Sequence, residues 1–211
     1  MTTLTPLLPL EELRSALGPA AAGLDDLVAQ VGADPRRLDR VFPAAARRTA
    51  RGPLEQHPQV LAQDAVRVAL LVAAAPALDD DDLLTELRSL YRVGDSDEKR
   101  AVLLALPGAP DGLVAVDLLE DALRTNDTRL VAAAMGPHAR HLDDSAWRHG
   151  VLKCLFTGVP VSAVTHLRER ADDELAAMAE RFAAERRAAG RPVPDDLHTV
   201  LSAATHSSRE S

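Results

Sequence analysis

No stretch of this chain shows the sustained alternation of β-branched and polar residues that a strand needs, whereas Gly and Pro repeatedly cut it into helix-length pieces. Leu7–Leu17 reads as a helix closed by Gly18, and Pro19 opens a second that ends near Gly32. Asp34-Pro35 reads as an N-cap followed by Pro at the first helical position, with a break or kink expected at Pro43. Gly52, Pro53 and Pro58 interrupt the next stretch, so residues 51–59 are expected to be a loop or hinge. Helices are then expected at about 58–75, 80–93, 97–106, 112–125, 128–135, 145–157, 160–181 and 195–204.

Apolar residues make up 46% of the chain but aromatic ones only 2%, so the core must be built from Leu, Val and Ala, which suits closely approaching helices. From Asp79 onward the connections are a few residues long, which makes sequential helices antiparallel. The expected fold is therefore all-α, an irregular α-solenoid or HEAT-like stack of short antiparallel helices without a fixed repeat. Its expected parts are an N-terminal helical region (1–50), the loop or hinge, a helical core (60–204) and a disordered tail (205–211), in one compact domain overall.

Charge narrows the partners. A net charge of -8 opposes the counterion-release attraction behind most nucleic-acid affinity, and scarce aromatics remove base-stacking platforms. One Cys excludes an internal disulfide and fits a reducing compartment. The N-terminus lacks a basic region before Glu11 and Glu12, and the longest apolar run, Val68–Leu78, contains Pro76 and is far short of the ~20 residues a membrane span requires. A cytoplasmic protein is expected. Arg greatly outnumbers Lys, present only as Lys99 and Lys153, which with the Ala richness points to a GC-rich bacterial genome.

Leu123–Pro160 concentrates what chemistry the chain has: the only Trp (Trp147), the only Cys (Cys154), Lys153 and three of seven His. In LRTNDT, Asn126 or Asp127 can cap the next helix; the same geometry, with Arg124, Arg129 and free helix N–H groups, can hold a carboxylate or phosphate. His138 and His141, followed by Asp143 and Asp144, have a spacing compatible with metal ligands if His149 folds back, against the simpler reading of a polar helix end capped by Asp143 or Asp144. On the helix that follows, Val151, Leu152, Leu155 and Phe156 are expected toward the core, and His149, Lys153 and Thr157 form a polar stripe at i, i+4, i+8 where a ligand is expected. Lys153 reads either as an imine or phosphate contact or as an ordinary exposed lysine, and Cys154 as an inert core thiol.

After Pro160, Leu167, Ala171, Leu175, Met178 and Phe182 mark a core stripe on one long helix. Arg168–Asp172, Arg170–Glu174 and Arg181–Glu185 are spaced as i,i+4 pairs, and Arg186, Arg187 and Arg191 are suited to capping its end. No GxxxxGK[ST], GxSxG, GxGxxG or CxxC occurs, and the acidic run at 79–82 begins a helix rather than a calcium loop. No catalytic residue, metal or cofactor is assigned.

In order and spacing, ALRTNDTRLVAAAMGP, HLDDSAWRHGVLKCLFTGVP and RADDELAAMAERFAAERRAAGRPVPDDL resemble the C-terminal half of EboA-domain proteins, over roughly Asp95 to Leu201. The likeness departs at His138, where the family pattern has a Tyr, and that disfavours a metal there. It implies a cytoplasmic bacterial protein of secondary metabolism, serving traffic or processing of a small metabolite precursor; with the solenoid-like helices and the missing catalytic motifs, the expectation is a non-enzymatic adaptor or metabolite binder. Its implied neighbours are prenyltransferase-like, metal-dependent hydrolase-like, dehydroquinate-synthase-like and sugar-isomerase-like proteins. The rival reading is an enzyme, or a subunit of one, acting on a phosphorylated or carboxylated small metabolite. There Lys153 and Arg124 are the anion contacts and His149 the acid/base.

Overall fold

The computed structural model describes residues 2–210, and the side chains of residues 2–205. It is mostly helical and divides into two compact units, Met1–Ala115 and Val116–Ser211. Among the described residues no helix is long and apolar enough to cross a membrane.

The first unit contains α1 (Leu10–Leu17), α2 (Ala21–Ala33), α3 (Leu38–Arg48), a hairpin of β1 (Pro53–Leu54) and β2 (His57–Leu61), then α4 (Ala62–Ala74), α5 (Asp80–Val93) and α6 (Ser96–Ala105). Eleven of the thirteen residues of α4 are buried, because α1, α2, α3 and α6 all pack against it. A helix covered on so many sides is a core element rather than one layer of a surface. Side-chain caps fix two starts: Asp79 accepts from the Asp82 N–H to open α5, and Asp95 and Glu98 form a reciprocal capping box on α6. The close approach of α2 to α3 requires Gly23, since a Cβ there would run into the Arg48 carbonyl.

Two local expectations are corrected here. The stretch read as loop or hinge closes as an antiparallel hairpin, with Pro53 opposite Leu61 and Leu54 opposite His57. Gly52, just before β1, bends the chain at φ 94°; its N–H donates to Gln63 Oε1 (2.9 Å) and its carbonyl accepts from the Ala62 N–H (2.8 Å), tying the hairpin to the first turn of α4. Pro43 lies inside α3, which continues to Arg48 because Val41, Phe42, Ala45 and Ala46 are buried around it and packing outweighs the lost hydrogen bond.

The second unit contains α7 (Val116–Arg124), α8 (Thr128–Ala134), α9 (Asp144–Thr157), α10 (Leu167–Arg170), α11 (Asp173–Ala188) and α12 (Asp196–Glu210). Helices α7, α8 and α9 pack in chain order, and α11 packs on both α9 and α12. Asp127 caps α8 and Asp143 caps α9, while Gly158 ends α9 at φ 77°. The tail expected at 205–211 falls on residues whose side chains, Thr205 apart, lie outside the described ones.

The single long helix expected after Pro160 is instead broken. A short 3-10 turn (Val161–Ala163) and His166 at φ 63° precede α10, and a restart at Asp172 separates α10 from α11. Asp172 accepts from the Leu175 N–H (2.9 Å), so it caps a new helix instead of pairing with Arg168 along an old one. The buried face of α11 is Leu175, Ala179 and Ala183, with Met178 and Phe182 at its margin.

Candidate functional site

The distinctive residues of the second unit gather on α9 and the connections beside it, and most of them serve the fold. Trp147 is 1% exposed, with the Arg170 guanidinium 4.9 Å above its ring. Arg170 also donates to the carbonyls of Ala139 (3.1 Å) and Leu142 (2.9 Å) and to Asp144 (2.8 Å). One planar fork thereby joins α10, the 3-10 segment Pro137–His141 and the start of α9. Arg148 grips Asp172 through both oxygens, and the hydrogen bonds from that guanidinium hold the Asp172 carboxyl below the usual carboxylate range. The expected Arg168–Asp172 and Arg170–Glu174 pairs are replaced by these longer-range ones, and Arg181 meets Glu174 (3.1 Å) rather than Glu185.

Gly150 lets α9 approach its neighbours, because a Cβ there would collide with the Met135 thioether. Cys154 is fully buried, and burial pushes its thiol up to about 12, with Asp196 adding to the shift. At that value it is protonated and unreactive at neutral pH. His138 is buried with its ring 4.6 Å from that of His141, while His149 turns its Nδ1 to its own helix at the Ser145 carbonyl (2.8 Å). Among the described residues no group of three or more His, Cys, Asp or Glu is placed to hold a metal ion.

The seven residues read as ligand-binding separate into two sets. Asp127 accepts from the Arg129 N–H (2.9 Å) and from the Arg129 guanidinium (2.9 Å from Nη2), so the two pair with each other at the cap of α8. Arg124 faces Asp121 at 3.7 Å, and the Thr157 hydroxyl donates to the Lys153 carbonyl (2.7 Å). The second set is Lys153 and Asn126. Although far apart in sequence, they meet: Nζ donates to Asn126 Oδ1 at 2.8 Å. The same ammonium stands 5.9 Å from the ring centroid of Phe156. Phe156 itself corrects the sequence reading. Expected in the core, it is 59% exposed, because Trp147, Val151, Cys154 and Leu155 already fill the inward face of α9.

A second polar cluster, not anticipated from sequence, lies inside the first unit. Arg67 on α4 is 2% exposed; its Nε donates to the Phe42 carbonyl (3.2 Å), its Nη2 faces Glu98 Oε1 at 3.7 Å, and its Nη1 has no hydrogen-bond partner among the described residues. Asp64, one turn earlier, is paired with Arg100 at 3.2 Å. Two charged residues three apart in AQDAVRVALLVAA, an otherwise apolar helix, were the available signal.

Comparison with curated proteins and with solved structures gives no match for this chain. A family match does exist, to the family described as metabolite traffic protein EboA, over residues 42–202. It starts earlier than the resemblance read from the sequence, taking in the hairpin and the buried charges of α4 as well as α7 to α9. With most of its length covered, the chain belongs to the EboA family.

Proposed function

We propose that this protein is a cytoplasmic, non-enzymatic component of metabolite traffic that works as an adaptor or metabolite binder for a small secondary-metabolite precursor. The observation that carries this reading is the family match across residues 42–202. The disposition of the polar residues is consistent with it: most of them bind one another, and what α9 offers outward is a contact surface made by Lys153 and Phe156, with Asn126 of the α7–α8 connection beside them. The enzymatic alternative draws little support from the same geometry. Arg124 is turned to Asp121 and His149 to the Ser145 carbonyl, so neither joins Lys153 around a common ligand. The HEAT-like stack belongs to this reading in reduced form, as the chain-ordered packing of α7, α8 and α9.

The proposed partners are proteins of the same metabolite cluster: the prenyltransferase-like, hydrolase-like, dehydroquinate-synthase-like and sugar-isomerase-like members that the resemblance implies. The test is affinity purification of the tagged full chain from its native host, combined with thermal shift against pathway metabolites. Recovery of at least one cluster protein, or a metabolite-dependent rise in melting temperature, is expected. Recovery of none together with no shift overturns the proposal.

A further inference from the structure

We infer that the outward stripe of α9 is the docking site for an acidic, amphipathic segment of a partner protein, an inference that rests on the adaptor reading above. His149, Leu152, Lys153 and Phe156 stand at i, i+3, i+4 and i+7, the spacing that places four side chains on one face of a helix. His149 and Phe156 are exposed, and Leu152 and Lys153 are half-buried, so the face is open along two turns. The chain has only three Phe, one Tyr and one Trp. Phe42, Tyr91 and Trp147 are buried in the core, which leaves Phe156 as the most exposed aromatic ring. Aromatic rings of this kind are the usual anchors of protein interfaces.

Charge identifies the occupant. Arg124, Arg129, Arg148 and Arg170 each stand opposite a carboxylate. Lys153 instead donates to the neutral Asn126 amide, and among the described residues no carboxylate pairs with it beside the ring. The site therefore asks for an apolar group and a carboxylate together. The 5.9 Å between Nζ and the ring centroid is close to the ~5.4 Å pitch of an α-helix, so an apolar side chain and an acidic one a single turn apart on a partner helix meet both. A free carboxylate would engage Lys153 and leave Phe156 in water. An anionic membrane surface attracts a row of cations, whereas Asp121 and Asp127 stand among the cations flanking this one.

Fluorescence anisotropy on the full chain tests this with defined probes: a labelled peptide carrying Leu and Glu at i,i+4 spacing, its Lys-for-Glu counterpart, and phosphatidylglycerol vesicles. Binding of the acidic peptide is expected, weakening with salt and falling about tenfold or more in Lys153→Glu and in Phe156→Ser. Phe156 is exposed and Lys153 half-buried, and unchanged melting curves will show that the variants fold. Preference for the basic peptide or the vesicles, no binding of the acidic peptide, or equal binding by the variants overturns the inference. Affinity purification with the same variants separates the two proposals. A cluster protein recovered equally by wild type and Phe156→Ser leaves the adaptor reading standing and removes this site; recovery by neither removes this site, and the reading above falls with it only if no metabolite shifts the melting temperature.

Discussion

The central helices of the two units place charged side chains in opposite ways. In the first unit, two ion pairs are inside: Arg67 and Asp64 sit on the central helix α4, facing Glu98 and Arg100 of α6. In the second, the central helix α9 turns Trp147, Val151 and Cys154 inward, and the charges grip from its margins, Arg148 on Asp172 and Arg170 on Asp144 and two carbonyls. A buried charge is costly to leave without its partner, whereas a marginal clamp is replaced by water when cut. The same residue types thus have different energetic weight in the two units, and a count of ion pairs would miss the difference.

The largest expected effect follows from the interior network. Arg67→Met leaves Glu98 without its buried cation and is expected to cost about 3–5 kcal/mol in urea unfolding of the full chain. The double variant Arg67→Met, Glu98→Gln is expected to be more stable than the single one, because the amide keeps the capping box and removes the stranded charge. A double variant no better than the single would mean that packing, not charge, holds α4 and α6.

The clamp of the second unit comes next. Arg170→Ala removes hydrogen bonds to Ala139, Leu142 and Asp144 and the cation over Trp147, and a loss of about 2–3 kcal/mol is expected. Near-UV circular dichroism should report the loosened indole. A loss as large as that from Arg67→Met would erase the contrast between the two units.

A pH dependence should separate them further. Arg148 holds the Asp172 carboxyl below its ordinary value in the folded state. This contribution is therefore present above the unfolded carboxylate value of about 3.9 and is lost as pH falls through the lower folded one. Arg148→Ala should flatten the acid limb of the stability curve below about pH 4. Asp172→Ala should also lose the cap of α11, about 1 kcal/mol at neutral pH. The smallest effect is expected at Lys153→Ala, within about 0.5 kcal/mol of wild type in thermal unfolding, because its ammonium bonds an exposed amide.

What could be read from the sequence follows the range of its signals. Caps and stops act locally, so Asp34, Asp127, Asp143 and Gly158 mark helix boundaries in the chain and in the structure alike. The hairpin was hidden because two-residue β1 is too short to show alternation, and its stability comes from Gly52 bonding to Gln63 and Ala62. The break before α11 was hidden because Asp172 fits equally well as a helix-surface residue, and only Arg148, distant in sequence, commits it to a cap. The exposure of Phe156 is hidden for a related reason. A helical face wide enough to include it exists in the sequence, but the neighbours of α9 cover only part of that face. The meeting of Asn126 with Lys153 is half visible: each stands out in the sequence, and only packing of α7, α8 and α9 shows that they touch.

The most direct measurement is complementation of a deletion strain, with the exported metabolite quantified by mass spectrometry and the stability of each variant measured in parallel. Lys153→Glu and Phe156→Ser are expected to abolish export while melting like wild type, and Arg170→Ala to lower export only as far as it lowers stability. Normal export from Lys153→Glu and Phe156→Ser would contradict the assignment of the outward face of α9 to function.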